Sequence, residues 1–335
     1  MLIRFSCAVV WLACALGGQV ASAAMMLAAV VTGSTVAIQS VPRPVPHAGQ
    51  LLVRIQYAGV SPADWKRAGG RPEDPSIGEP PNARFAIPGL DAAGVVEAIG
   101  TGVNGYQLGD AVMLWSRSGG TYAQFVAVSV NDVARKPERL SFAQAAAIPH
   151  AALAAWNLLM DVAKVHAGQT VLVLGGAGGV GSAAVQIARI RGARVIATTS
   201  SRNVDYVREL GAQTVIDYTT QHFEEQVRNV DIAVNAVDSD DAYRALAVLR
   251  PGGYLVSLAG LPSPAQCAQR GVSCSGRSGI AKPSHPALGQ LARWGQSEQF
   301  SVHIDRTFGL DEVLGAWAYS QAGHTRGKAV IRIVQ

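Results

Sequence analysis

Between Leu174 and Ser182 the chain reads LGGAGGVGS, five glycines within seven residues, and Gly176, Gly178 and Gly181 fit the spacing G-x-G-x-x-G. An apolar run, TVLVL, precedes them, and AAVQIAR follows with helical spacing. In that setting each glycine has its own task. Gly176 allows the tight turn, Gly178 lets backbone come close to a diphosphate, and Gly181 brings the helix against the strand. With Ala177, Gly179 and Val180 between them, the unpaired N–H groups of the helix start face the anion. The spacing predicts a bound dinucleotide.

The next strand, RVIATTSSRN, carries Thr198 near the place where an NAD site usually sets Asp or Glu on the ribose diol. With no carboxylate there to repel a 2′-phosphate, Ser200 can donate a hydrogen bond to it and Arg202 can pair with its charge. The expected cofactor is therefore NADP, as NADPH, with NAD as the alternative. In the alternative reading, Arg202 decorates a solvent-facing turn. Ligands of parallel sheets bind outside the carboxyl ends of the strands. Asn235 and Ala236 are expected near the ribose, and Leu258 and Gly260 near the nicotinamide.

A metal partner finds little support. Residues 25 to 266 hold no cysteine, and His47, His150, His166 and His222 are isolated in different segments. Without a metal, hydride transfer favours a quinone or enone, whose conjugation spreads the charge that a simple carbonyl would concentrate on one oxygen. The protein must then supply alignment and one or two donors at the acceptor oxygen. Tyr57, Ser61, Asp64 and Tyr122 are the catalytic candidates. The plainer reading makes Ser61-Pro62-x-Asp64 an ordinary turn and Tyr122 a core residue. Trp65 either packs on the acceptor or closes the fold around it.

The elements that must hold these residues change character near Ala143. Before it, LAAVV, QLLVRIQYA, GVVEAIG, DAVMLW and TYAQFVAV are short, rich in Val and aromatic residues, and separated by turn formers, the pattern of an antiparallel barrel or sandwich. Residues 71 to 88 carry five prolines and read as a loop, either over the site or a mere surface excursion. After Ala143, strands that are apolar at nearly every position alternate with helices, as in a doubly wound parallel sheet covered on both faces. Gly192 and Gly211 stand where helices need a left-handed stop, and Arg250-Pro251-Gly252-Gly253 is expected to end another helix.

Composition limits the partners. The chain has 335 residues, 49% hydrophobic and 15% charged, with a formal charge of +5, and its Lys and Arg are scattered. Nucleic acid is not an expected partner. Residues 1 to 24 show Arg4, an apolar middle and a small-residue end, the order of a signal peptide, and predict a periplasmic or secreted protein. The alternative is a cytoplasmic protein starting at Met25. No later stretch is apolar enough to span a membrane. Cys267 and Cys274 either pair in an oxidising compartment or remain free thiols.

Taken together, SPADW at Ser61, PGLDAAGVVEAIGTGV, LGDAV, GGTYAQF, LGGAGGVGSAAVQIA, LGAQTVIDY and RGKAVIRIV resemble the medium-chain dehydrogenase/reductases, above all their zinc-independent quinone oxidoreductase branch. The resemblance runs through essentially all of the chain after Met25. It implies an α/β protein with a GroES-like β-barrel catalytic domain over 25–148, rejoined by 301–335, and a Rossmann doubly wound sheet over 149–300. The cleft would lie between them, with Lys328 of the returning strand among the cofactor contacts. Tyr218 would stand near the 2′-phosphate. Asn203 is near the place of a lysine common in the branch, so Arg202 must carry more. Ser61 replaces both the cysteine of zinc-dependent relatives and the Asn frequent in this branch. A homodimer is also implied. The expected function is NADPH-dependent reduction of a quinone, the alternatives being an alkenal or enone double-bond reductase, or nucleotide binding without turnover. Export conflicts with the absence of free NADPH outside the cytoplasm.

Overall fold

A computed structural model describes residues 24–33, 35–68, 87–276 and 285–333. Residues 1–23 of the expected leader, and residues 71–86 of the expected proline-rich loop, lie outside the described residues. The first half is organised on strand β3 (Gln50–Gly59); β1 (Met25–Thr32) and β2 (Thr35–Pro42) form an antiparallel ribbon that touches the rest through an Ala28–Ala123 bridge. One side of β3 takes β4 (Asp91–Ile99), which pairs onward with β5 (Ala111–Trp115). Its other side is shared. Gln50 to Arg54 pair with β6 (Phe125–Ser129), and β7 (Val133–Arg135) extends the sheet from β5. Register shifts between Leu52 and Val53 and between Ile55 and Tyr57 bend β3, which is how bulges curve a sheet around a core. That core holds Leu51, Val53, Ile55, Val112, Leu114 and Tyr122, all buried.

The second half is a parallel sheet. In chain order its strands are β8 (Thr170–Leu174), β9 (Arg194–Thr199), β10 (Thr214–Asp217), β11 (Val230–Asn235), β12 (Leu249–Ser257) and β13 (Ser273–Ser275). Their spatial order is β10-β9-β8-β11-β12-β13. The winding reverses between β8 and β11, and a crevice forms at such a reversal. Ala183, Ala184, Val185, Ile187 and Ala188 of the helix after β8 pack into the main core with Val171 and Val173.

The last two strands return to the first half. β14 (Ile304–Gly309) runs parallel to β15 (Lys328–Arg332), and β15 lies antiparallel on Tyr57 to Gly59, the part of β3 that β6 leaves free. The expected helix stops at Gly192 (φ +78°) and Gly211 (φ +109°) adopt left-handed backbone. The expectation for Arg250 to Gly253 is corrected: the helix ends at Ala245, and these residues form the bulged beginning of β12. Gly252 (φ +75°) bonds through its N–H to the Gly271 carbonyl, so this stretch is tied into structure beside the sheet. Cys267 and Cys274 are joined in a disulfide between the helix Pro264–Gln269 and edge strand β13. Trp65 packs against the barrel core, its Nε1 3.4 Å from Ser320 Oγ, which favours the closing role. Among the described residues no helix is long and apolar enough to cross a membrane.

Candidate functional site

At the end of β8 the chain turns through Gly175 (φ +80°), whose N–H meets Thr198 Oγ1, while the Gly176 N–H donates to the Thr198 carbonyl at 2.8 Å. These two bonds pin the glycine-rich loop to the end of β9. The helix Gly179–Ile190 then begins with Gly178 as its N-cap, and no side chain caps it. The first amides of such a helix have no partner in their own backbone, so they point at whatever anion sits before them.

The glycines differ in what they leave room for. A Cβ on Gly181 would stand 2.0 Å from the Gly175 carbonyl oxygen, and one on Gly176 would stand 2.9 Å from the Ala197 methyl. Both are packing glycines. At Gly178 the φ is −76° and the nearest atom to an added Cβ is 3.6 Å away, so nothing in the protein itself demands glycine there. The open space fits a ligand's diphosphate, which only a side-chain-free backbone lets approach. The residues present thus fit a dinucleotide.

This loop forms one wall of a cleft of about 1000 Å³ between the two halves. Eleven expected cofactor residues line it, Ala177, Gly178, Gly179, Val180, Gly181, Ser200, Arg202, Tyr218, Ala236, Leu258 and Lys328. Gly176, Asn235 and Gly260 do not. The Asn235 amide instead donates to the Asp238 carbonyl and to Ser257 Oγ, tying β11 to β12. Gly260 (φ +67°) passes close to Ser239, where a Cβ would come within 2.7 Å of its side chain.

Of the expected catalytic residues, Ser61 alone lines the cleft. Asp64, on helix α1 (Pro62–Ala68), is buried behind it. Its Oδ2 accepts from the Ser61 N–H at 2.7 Å, from Ser61 Oγ at 3.0 Å and from the Tyr122 hydroxyl at 3.0 Å. Burial raises the Asp64 carboxyl above its ordinary range, against those bonds and the nearby Lys328 charge, and it raises the Tyr122 hydroxyl well above its own. Asp64 and Tyr122 are therefore positioned to hold Ser61 rather than to meet a ligand. Tyr57 lies on β3 beside the main core and away from the cleft lining.

Two residues that sequence reasoning missed, His150 at the cleft wall and Asp91 buried behind it, complete this group. Asp91, the first residue of β4, is buried, and its Oδ1 accepts from the His150 N–H at 2.7 Å. Its Oδ2 lies 3.6 Å from Lys328 Nζ, and Nζ also donates to the Val60 carbonyl at 2.7 Å. Burial, opposed by Lys328 and assisted by Asp64, pushes Asp91 up to about 7. His150 lines the cleft, and its surroundings together with the charges of Lys328 and Arg67 push it down to about 3, so it is neutral. No local spacing announces this group, because Asp91 and His150 lie far apart in the chain and meet through a backbone N–H.

At the far end, Ser200, Arg202, Asn203 and Tyr218 face the cleft. Arg326 holds this corner from the returning segment. Its Nε donates to Asn203 Oδ1 at 2.7 Å and its terminal nitrogen to the Arg202 carbonyl at 2.8 Å. The carboxylate of Asp217, at the end of β10, accepts hydrogen bonds from Ser201 and Thr219, which draw its pKa down. Among the described residues, no group of three or more His, Cys, Asp or Glu is arranged to hold a metal ion. On the cleft floor the Lys328 ammonium itself faces the carboxylates, so a cation there would meet a like charge.

Known proteins resemble this one along both halves. Residues 47–138 match the alcohol dehydrogenase GroES-like domain, residues 143–244 the alanine dehydrogenase/PNT C-terminal domain, and residues 210–331 the zinc-binding dehydrogenase family. A 2-methylene-furan-3-one reductase of Solanum lycopersicum is 33% identical over 294 residues, 84% of this chain and 71% of that protein. The chloroplastic NADPH-dependent alkenal/one oxidoreductase of Arabidopsis thaliana is 31% identical, over 84% of this chain and 72% of that protein. Among solved structures, an alcohol dehydrogenase superfamily protein from Novosphingobium aromaticivorans superposes with a TM-score of 0.83 at 32% identity, covering 92% of this chain and 100% of that one. The quinone oxidoreductase from Coxiella burnetii gives a TM-score of 0.83 at 28% identity, covering 93% of this chain and 100% of that one.

Proposed function

We propose that this chain, which belongs to the medium-chain dehydrogenase/reductase superfamily, is an NADPH-dependent enzyme that transfers hydride to a quinone or similar conjugated carbonyl without zinc. Family membership itself makes it an oxidoreductase that works with a nicotinamide cofactor on a small molecule. The observation that carries the finer reading is the pairing of an uncapped helix start at Gly178 with a cleft floor of Ser61, His150 and Lys328, around which the described residues offer no set of metal ligands. The reduced nicotinamide would supply the hydride. The chain's own residues would hold the diphosphate on the first amides of the helix Gly179–Ile190 and present Ser61 to the acceptor, with Asp64 and Tyr122 fixing that hydroxyl.

The preference for NADPH rests on Ser200, Arg202 and Tyr218 at one corner of the cleft and on Thr198 and Thr199, rather than a carboxylate, at the end of β9. A second reading, reduction of an enone double bond, is favoured by the names of the tomato and Arabidopsis relatives. The Cys267–Cys274 disulfide supports a further proposal, that residues 1 to 24 direct export into an oxidising compartment. An exported enzyme would need a source of reduced cofactor there. A homodimer is likewise proposed from the family resemblance.

The test is direct. Fluorescence titration with NADPH and NADH should give tighter NADPH binding. Cofactor oxidation against parallel quinone and enone panels separates the two substrate classes, and activity should survive a chelator. Failure to bind either dinucleotide overturns the cofactor assignment. Tight binding with no turnover on either panel would favour a nucleotide-binding protein instead.

A further inference from the structure

The buried group on the cleft floor is unusual as a structural device. Lys328, Asp91 and Asp64 are all withdrawn from water, and burying charges costs more than a loosely made ion pair returns. This pair is loose. Lys328 Nζ stands 3.6 Å from Asp91 Oδ2, beyond hydrogen-bond distance, and that oxygen has no other partner, nor does Asp64 Oδ1. Among the described residues the Val60 carbonyl alone takes a hydrogen bond from the ammonium, although it has three N–H groups to give. Lys328 is also a cleft-lining residue. Its stem lies on Gly179, where an added Cβ would come within 2.9 Å of the Lys328 Cδ, so the first turn of the helix Gly179–Ile190 is kept bare on this side for the lysine.

We propose that Lys328 is the proton donor of this site and that Asp91, as a positioning and resupplying residue, reloads it. The inference rests on the reading of the cleft as a hydride-transfer site. Hydride, furnished by the reduced nicotinamide, adds to the conjugated acceptor and leaves an electron pair on its oxygen. A Lys328 N–H bond breaks as that oxygen's O–H bond forms, leaving a neutral amine. The proton on Asp91 Oδ2 then crosses to Nζ, and the Asp91 carboxylate takes its replacement from solvent. One hydride and one proton are consumed per acceptor.

The surrounding charges support this order. Two carboxylates facing one ammonium leave an excess negative charge, which holds an extra proton in the group. Asp91, pushed up to about 7, is half loaded near neutrality. His150, pushed down to about 3, is neutral and holds no imidazolium proton to give, Lys66 and Arg67 line the same cleft from helix α1, and the Tyr122 hydroxyl, raised well above its ordinary value, is committed to Asp64. Arg67, on α1, adds a positive charge that disfavours a protonated His150.

The first arm of the test needs no turnover. Infrared difference spectra of cofactor-free protein between about pH 5 and about pH 9 should show a carboxyl signal titrating near 7 that disappears in Asp91→Asn. Absence of that signal overturns the proposal. In the second arm, Lys328→Met keeps the apolar stem and removes the ammonium. kcat should fall about 100-fold or more, the usual share of a general acid, and by far more than NADPH affinity falls, although the lysine also lines the cofactor cleft. In the wild type, kcat should decline as pH rises through about 7, and Asp91→Asn should remove that limb. If Lys328→Met weakens NADPH binding and lowers the melting temperature but leaves kcat and its pH profile intact, the lysine is structural and the proposal fails. If wild-type protein binds no dinucleotide, the hydride-transfer reading fails separately, whatever the infrared arm shows.

Discussion

His150 and Asp91 are joined by one hydrogen bond yet oppose each other in their effect on stability against pH. The folded protein lowers His150 from 6.5 to about 3. Between those values the unfolded chain binds a proton there that the folded protein does not, so His150 makes stability rise with pH. Asp91 is raised from 3.8 to about 7. Between those values the folded protein keeps a proton that the unfolded chain has released, so Asp91 makes stability fall as pH rises. Within the overlap the two effects cancel, and Asp64, also raised, adds to the falling side. One proton of difference is worth about 1.4 kcal/mol per pH unit. Relative to wild type, His150→Asn should therefore tilt stability downward with pH by about that amount, accumulating about 3 to 4 kcal/mol across the overlap. Asp91→Asn should tilt it upward by a similar amount. Urea unfolding at half-unit pH steps measures both. The slope is read rather than the absolute stability, since Asp91→Asn also strips Lys328 of its carboxylate. Wild-type and variant curves that run parallel between about pH 4 and about pH 6.5 would refute the assigned charge states.

Gly178→Ala should fold with little loss of stability but weaken NADPH binding by roughly 10- to 100-fold, whereas Gly181→Ala, whose Cβ would overlap the Gly175 carbonyl, should lower the melting temperature sharply; fluorescence titration and calorimetry check the pair. Arg326→Ala frees Asn203 and the Arg202 backbone, so it should raise the Kd for NADPH more than that for NADH, and equal losses for both would place the corner outside the 2′-phosphate site. Replacing both Cys267 and Cys274 by Ser opens a ring with a sequence separation of 7. Loop entropy for about eight residues predicts about 2.5 kcal/mol of lost stability, and an unchanged urea midpoint would contradict it.

What could be read in the sequence was local in character. The spacing of Gly176, Gly178 and Gly181 marks the loop within six residues: Gly181 packs on the Gly175 carbonyl as a helix contact should, whereas the left-handed turn falls one residue early, at Gly175, and Gly176 packs on Ala197. Gly192 and Gly211 were legible as helix stops for the same reason. Ser61 and Asp64 lie within one turn, so their bond was foreseeable, although not the direction in which Asp64 faces. Arg250 to Gly253 misled, because Pro and Gly mark a helix end and a bulged strand start alike. The Asp91–His150–Lys328 group was illegible. Each member comes from a different element, and Leu90-Asp91 reads as the ordinary start of a strand until tertiary contacts bring β15 beside β3.

That return of β15 does more than close a sheet. Gly327 (φ +66°) passes so near His303 that a Cβ would meet its carbonyl at 2.3 Å, and its N–H donates to the Ala177 carbonyl at 2.7 Å inside the glycine-rich loop. The next residue, Lys328, reaches across to the Val60 carbonyl at the start of the Ser61 turn. Arg326, just before, holds the corner at Arg202 and Asn203. Three consecutive side chains or amides thus touch the Arg202–Asn203 corner, the glycine-rich loop and the start of the Ser61 turn in order. A displacement of this one strand by even an ångström would shift all three together, and a misplacement of that size is enough to cost about 100-fold in rate. The tight approach of Gly327 to His303 is what denies the strand that freedom, so a bulkier residue there would disturb cofactor binding and proton delivery at once although it touches neither ligand.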